Sequence, residues 1–545
     1  MSEQNHLSVS GNIIDVVNKR IYPGTIYIEN GIISNIVEGP VSSDIYIAPG
    51  LIDSHIHIES SMLTPAAFAR LAVTHGTVAT VSDPHEIANV LGVEGVKYMI
   101  ESGNSVPFKF YFGAPSCVPA TDLETAGAVL GVNETKELLA NPQIKYLAEM
   151  MNFPGVISEF PDVINKLKIA KDLGKPIDGH APGLSGEGLK KYVGAGISTD
   201  HECMTAEEGR EKIALGMKVL IREGSAAKNF AALMPLITEL PEHVMFCSDD
   251  KHVDDLIVGH IDRLVKKALS LQIDPVTVFR ITCYNPVKHY DLAVGLLQKG
   301  DAADFITFNN LSDLKIQATY INGYKVAENG ECYFHIGETK IINNFASRTI
   351  SADELKIPVQ VGKVQAMEVI DGELFTKCNL IEPTVKDGYA VSDTNKDLLK
   401  LVIVNRYQNQ APAKGFVYNF GLKRGAIAQS VAHDSHNIIA VGANDEDLLL
   451  AINKIMEQKG GLVAVENGKI TSLSLPIAGL MTSEDGYMVA AKYQELNTIA
   501  RDLGSHLTAP WMTLSFLALL VIPELKLGDR GLFDGKTFSF TPLFT

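Results

Sequence analysis

The sequence predicts an α/β protein built on a (β/α)8 barrel of the TIM type, with a small β-sandwich domain and a C-terminal mixed α/β domain. Three observations carry this prediction. Strand-like and helix-like segments alternate eight times over roughly 250 residues, the length and rhythm of such a barrel. Side chains with metal-ligand or acid–base chemistry fall at the C-terminal ends of five of those strands, the face on which barrels carry their sites. Two β-rich stretches of like style, 7–48 and 303–335, bracket the alternating region. At 545 residues the chain exceeds one ordinary core. The predicted domains are 1–50 together with 300–350 for the small β domain, 51–299 for the barrel, and 351–545 for the C-terminal domain.

The flanking domain shows hairpin signals. Thr25–Ile28 and Ile32–Val37 flank Glu29-Asn30-Gly31, and Asn322-Gly323 separates Ala318–Ile321 from Tyr324–Val326. The barrel strands are predicted at 45–51, 77–81, 108–112, 145–149, 176–180, 196–200, 218–222 and 244–248. The clearest helix is 254–271, where Leu256, Ile257, Ile261, Leu264, Val265, Ala268 and Leu269 keep helical spacing. A doubly wound sheet is the rival architecture, but no Gly-x-Gly-x-x-Gly follows any of these strands. Beyond 351, Leu401–Val404 reads as a buried strand, 446–456 as a helix closed by Gly460-Gly461, and 462–475 as a hairpin around Asn467-Gly468. The apolar run Trp511–Ile522 is too short to span a bilayer and reads as a buried helix.

Hydrophobic residues make up 46% of the chain and charged residues 20%, a soluble enzyme's balance. A net charge of −17 argues against nucleic acid or an anionic membrane as the main partner. Six cysteines, at 117, 203, 247, 283, 332 and 378, form no CxxC pair and suit a reducing cytoplasm. The N-terminus carries no basic stretch followed by an apolar one, so no signal peptide is expected.

The chemistry begins with His55 and His57, which share one side of the first strand's end. Two imidazoles aimed one way are a pair of metal ligands, or else two ordinary histidines at a loop start. The fourth strand ends in Glu149, the fifth in His180, the sixth in His201 and the eighth in Asp249. Any one of these is weak, because a lone histidine is more often structural and a lone carboxylate often caps a helix. Together they make a nitrogen/oxygen site without thiolate. Six ligands exceed what one open catalytic ion takes from protein, so two divalent ions are expected. Glu149 is the natural bridge, with His55, His57 and Asp249 on one ion and His180 and His201 on the other. A water shared by the ions is the expected nucleophile, and Asp249 the group that takes its proton and delivers it to the leaving group. Asp249 and Glu149 are therefore the candidate catalytic residues.

Around this set, Glu59, Asp83, His85, Glu86, Arg222, Asp250, His252 and His436 are candidate substrate-side residues. Each has a plainer reading: helix caps, loop bonds, or, for Arg222 and Glu223, a local ion pair. Asp250 or Asp254 is expected to cap the long helix, and His75, His243, His260 and His289 to be structural or surface. The cluster His433-Asp434-His436 is read as a loop reaching the barrel, an accessory metal site, or an ordered turn.

His-x-His, the strand-end histidines and the final aspartate resemble the amidohydrolase superfamily, as does a β domain assembled from both flanks. Many members place a carboxylated lysine where this chain has Glu149; Lys145 opens that strand instead. Longer motifs narrow the likeness: Pro49-Gly50-Leu51-Ile52-Asp53-Ser54-His55-Ile56-His57, Asp83-Pro84-His85-Glu86-Ile87-Ala88-Asn89, Ala148-Glu149-Met150-Met151-Asn152, Asp178-Gly179-His180-Ala181-Pro182, Ser248-Asp249-Asp250-Lys251-His252 and His433-Asp434-Ser435-His436-Asn437. These resemble bacterial adenine deaminases over nearly the whole chain. The resemblance implies a purine-salvage hydrolase that turns adenine and water into hypoxanthine and ammonia. It also implies manganese or iron rather than zinc, and a homodimer or higher homo-oligomer. The residues alone equally fit a cyclic amide or another aminopurine as substrate, or a non-catalytic binding protein. The other deaminase solution, His-x-Glu with Pro-Cys-x-x-Cys on zinc, is absent from the sequence.

Overall fold

The computed structural model describes residues 6–225, 227–346 and 348–545. They form two compact units: the chain up to Pro84 with Lys97–Ser116 and Gly131–Thr339, and His85–Val96 with Cys117–Leu130 and Lys340–Thr545. Two stretches following the second and third barrel strands therefore group with the C-terminal part of the chain.

In the first unit the barrel strands are β1 (Leu51–His57), β2 (Thr77–Ser82), β3 (Lys109–Ala114), β4 (Ile144–Met150), β5 (Ile177–Gly179), β6 (Thr199–Asp200), β7 (Lys218–Arg222) and β8 (Val244–Cys247). Parallel ladders run without interruption from β1 to β5 and from β6 to β8. After β8 the pair Asp249-Asp250 joins β1, with Asp249 opposite Ile56 and Asp250 opposite His57. Among the described residues no ladder joins β5 to β6. The two meet through isolated bonds, Ser198 N–H to the Ile177 carbonyl at 2.9 Å and Gly179 N–H to Thr199 Oγ1 at 3.3 Å. They approach so closely that a Cβ on Gly179 would lie 2.4 Å from the Thr199 carbonyl oxygen.

The strand expected at 45–51 is two strands. Tyr46–Pro49 pairs with Phe305–Phe308 and with Ile13 in an eight-stranded sheet, while β1 begins at Leu51. The chain changes sheets at Gly50, where a Cβ would meet the Val78 side chain at 2.4 Å. That sheet runs from Glu331–Cys332 at one edge to Ile32–Glu38 at the other and buries Ile13, Ile26, Ile33, Ile47 and Phe305.

The helix expected over 254–271 is also broken, into Val253–Leu256 and Ile261–Ser270. His260 between them leaves helical geometry, with φ −122° and ψ −127°, and buries its ring against Asp53. The apolar residues Ile261, Leu264, Val265 and Ala268 keep their expected inward spacing. His252, not Asp250 or Asp254, stands at the N-cap of the first piece.

The second unit carries an antiparallel-rich sheet whose central strands, Leu398–Val404 and Ile438–Gly442, are wholly buried. Helix Asp445–Gln458 packs Leu448, Ile452 and Ile455 against it, and the Asn444 side chain caps it by accepting the Asp447 N–H at 2.8 Å. The apolar run at 511–522 is helical only over Pro510–Phe516, with Trp511 buried. Among the described residues no helix is long and apolar enough to cross a membrane.

Candidate metal centre

All six predicted ligands meet at the C-terminal ends of the barrel strands. His55 and His57 leave β1 with their Nε2 atoms 3.2 Å apart. Asp249 Oδ1 lies 3.6 Å from His55 Nε2 and 3.3 Å from His57 Nε2. The Glu149 carboxylate divides: Oε1 is 3.4 Å from His57 Nε2, whereas Oε2 is 2.8 Å from His180 Nδ1 and 3.2 Å from His201 Nε2. The His55 and His201 rings stack with centroids 4.1 Å apart. Two donors each about 2.1 Å from one ion stand roughly 3.0–3.5 Å from each other. Most of these separations fall in that range, on both sides of Glu149.

Hydrogen bonding sets the tautomer that such a role requires. His57 Nδ1 faces the Asp83 carbonyl at 3.1 Å, and a carbonyl only accepts, so Nδ1 carries the proton and Nε2 presents its lone pair to the site. The donor set therefore fits divalent transition-metal ions: imidazole nitrogen, carboxylate oxygen, no thiolate. Asp83 also brings a carboxylate oxygen within 4.8 Å of the His57 and Glu149 donor atoms.

The electrostatics agree. Burial pushes the Glu149 carboxyl up, but His180 and His201 overcome it and hold it well below the usual range. Burial likewise raises Asp249, and the Arg222 guanidinium with the His55 and His57 contacts pulls it well below. Asp249 itself adopts a left-handed φ of 57°, tolerable for aspartate, just where β8 stops.

Two further groups complete the pocket, and sequence reasoning missed the first. Glu202, following His201, places Oε1 3.5 Å from His201 Nε2 and 3.8 Å from His180 Nδ1. Its only sequence signal is adjacency to a ligand. Arg222, expected on the substrate side, donates from Nη1 to both Glu202 Oε1 and Asp249 Oδ2 at 2.5 Å, and from Nη2 to Glu202 Oε2 at 2.9 Å. Beneath the site, Asp53 accepts the Ser248 N–H at 3.0 Å and contacts His260 Nε2 at 2.8 Å, so His260 is a buried support of β1 and β8.

Glu59 is buried in the turn Ile58–Ser61 after β1. Asp250 turns to Ser60, accepting its hydroxyl at 2.5 Å, and His252 is held through its backbone N–H by Ser225 Oγ at 2.9 Å. His85 and His436 belong to the second unit. There Glu86 is clamped by two histidines: His433 Nδ1 lies 2.5 Å from Oε1, and His436 Nε2 contacts Oε2 directly. The three form a buried nitrogen/oxygen group that matches a metal site by residue type. Its hydrogen bonding runs the other way. His436 Nδ1 accepts the Ala432 N–H at 3.3 Å, so its proton sits on Nε2 and is given to Glu86. The cluster is a clamped carboxylate.

Two family models match. The amidohydrolase family model covers residues 46–326, and the adenine deaminase C-terminal domain covers 373–539. Full-length relatives agree. An adenine deaminase of Methanosarcina mazei is 51% identical over 98% of this chain and 99% of its own length. Those of Salinibacter ruber and Parabacteroides distasonis are 49% and 48% identical, over 98% and 100% of this chain and 99% and 100% of their own lengths. With the ligand set assembled at the strand ends and both families matched, the chain belongs to the amidohydrolase family and, within it, to the adenine deaminases.

Proposed function

We propose that this protein hydrolyses adenine to hypoxanthine and ammonia, using two divalent ions, manganese or iron, on either side of Glu149. The observation that carries the reading is the division of the Glu149 carboxylate, one oxygen toward His57 and the other toward His180 and His201. His55, His57 and Asp249 would hold one ion, His180 and His201 the other. Bound there, such ions lower the pKa of water enough to make it a nucleophile near neutral pH.

The chain's own residues do the rest. Water adds to C6 of the purine as the C6–N1 double bond opens and its electron pair moves to N1, and the water gives one proton to Asp249 Oδ1, the oxygen not engaged by Arg222. Arg222 keeps Asp249 ionised, hence ready to accept that proton. Asp249 then passes it to the 6-amino group, the N1 pair re-forms the C6–N1 double bond as the bond to the amino nitrogen breaks, and ammonia departs, leaving the 6-hydroxy tautomer of hypoxanthine. Glu202 and Asp83 are polar and near the ligand set, and Glu59 is buried in the turn that follows His57, so they are the groups on which purine nitrogens would find partners. Six free thiols and an acidic chain suit a cytoplasmic salvage enzyme, which we expect to act as a homo-oligomer.

The test is purified protein, stripped and reloaded with Mn²⁺, assayed for hypoxanthine from adenine beside a panel of cyclic amides and other aminopurines. Adenine turnover with little activity on the panel supports the proposal; preference for a cyclic amide contradicts it.

A further inference from the structure

Among the described residues no ladder joins β5 to β6, and the two histidines proposed for the second ion stand on opposite sides of that gap. His180 follows β5 and His201 follows β6. Two strands joined by a ladder hold their ends in register through main-chain bonds. Here a single main-chain bond, Ser198 N–H to the Ile177 carbonyl at 2.9 Å, joins the described strands, and side chains hold their ends.

Asp200 and Lys212 occupy the gap. Both side chains are fully buried. Asp200 Oδ2 accepts the N–H of Ala181, the residue after His180, at 3.0 Å. Its Oδ1 accepts the N–H of Glu202, the residue after His201, at 2.7 Å. One carboxylate thus grips the chain just beyond each histidine. Lys212, on helix Ala206–Ala214, donates to Asp200 Oδ2 at 3.0 Å, to the Ala181 carbonyl at 2.8 Å and to Glu208 Oε1 at 2.7 Å. All three ammonium donors are used. The residue after His180 is therefore held at its N–H by Asp200 and at its carbonyl by Lys212. From a third direction the Tyr192 hydroxyl accepts the His180 N–H at 2.9 Å and donates to the Met150 carbonyl, next to Glu149, at 2.7 Å.

A buried ion pair is a poor way to gain stability, because taking both charges out of water costs about as much as their attraction returns. What it supplies is fixed geometry. We propose that Asp200 and Lys212 are positioning residues that set the spacing of His180 and His201 across the barrel gap, and with it the affinity for the ion those two histidines hold. The proposal rests on the two-ion reading above. Partners behind metal ligands commonly change metal affinity ten- to a hundredfold when removed.

The experiment is calorimetric titration of Mn²⁺ into metal-free wild type and Lys212→Met, with bound metal counted by mass spectrometry and thermal unfolding followed in parallel. The wild type should take up two equivalents. Lys212→Met should keep the first and bind the second ten- to a hundredfold more weakly. The double variant Asp200→Asn/Lys212→Met removes both charges, avoids stranding a buried carboxylate, and should show the same selective loss; it decides the matter if the single variant does not fold. A folded variant that binds both equivalents as the wild type does overturns the proposal alone. A wild type that takes up no metal overturns the two-ion reading, and this proposal with it.

Discussion

Arg222 Nη1 and Asp249 Oδ2 lie 2.5 Å apart, which leaves Oδ1 as the Asp249 oxygen that faces His55 and His57. The guanidinium thus fixes which oxygen faces the two histidines and holds the carboxyl well below its usual range against the pull of burial.

Replacing Arg222 with Met should lower kcat/KM on adenine by about 10–100-fold, the range for partners that orient metal-site carboxylates. It should also reshape the pH profile. Without Arg222, burial is less opposed and the Asp249 pKa rises. The proton-accepting form is then lost at a higher pH than in the wild type, so the acid limb of kcat/KM moves upward. An acid limb that stays in place would mean Arg222 has no hold on Asp249.

The Glu86 clamp makes a separate prediction. Burial raises Glu86, but His433, His436 and His85 together hold it well below the usual range, while burial pushes His436 down to about 4. A neutral His436 therefore donates to an ionised carboxylate. His436→Ala removes that donor and should cost about 1.5–3 kcal/mol of stability, the scale of a hydrogen bond to a charged group. Urea unfolding measures this. Wild type already holding two ions should bind no third Mn²⁺; a third equivalent lost in His436→Ala would make the cluster a metal site after all.

Lys526 carries a pH signature. Its buried amine donates to two backbone carbonyls, Leu374 at 2.7 Å and Phe516 at 2.9 Å, and burial lowers its pKa from 10.5 to about 7. Between pH 7 and 10.5 the unfolded chain binds a proton that the folded chain does not. Stability therefore rises with pH across that window, by about 1.4 kcal/mol per unit at most from this group. Unfolding of wild type and Lys526→Met at pH 7 and pH 9 should show the wild type gaining relative to the variant as pH rises. Parallel curves would show that the amine is not desolvated.

The barrel, its strand order and the six converging side chains were readable in the sequence because most strands are short apolar runs and five of them lead into a chemically distinctive residue. What escaped is held by tertiary packing. Lys212 sits amid Glu207, Glu208, Arg210 and Glu211 and reads as one more charge on a solvated helix. Only the fold shows it fully buried on Asp200. The helix at 254–271 reads as continuous because its apolar spacing passes smoothly over Gly259 and His260. The bond from His260 to Asp53 breaks it. Likewise the run through Gly50 looks like one strand, since both halves are apolar and only the partner strands differ. Glu86 and His436 lie 350 positions apart, too far for either to announce the other.

The most direct measurement is a titration of metal-free protein with Mn²⁺ while hypoxanthine formation is followed, in wild type and in Glu149→Gln. Wild-type activity should climb to a plateau at two equivalents per chain. Glu149→Gln, whose neutral carboxamide would hold cations poorly, should bind the second equivalent weakly and lose at least about a hundredfold in kcat. Full activity at one equivalent, or a Glu149→Gln variant as active as the wild type, would contradict the two-ion reading.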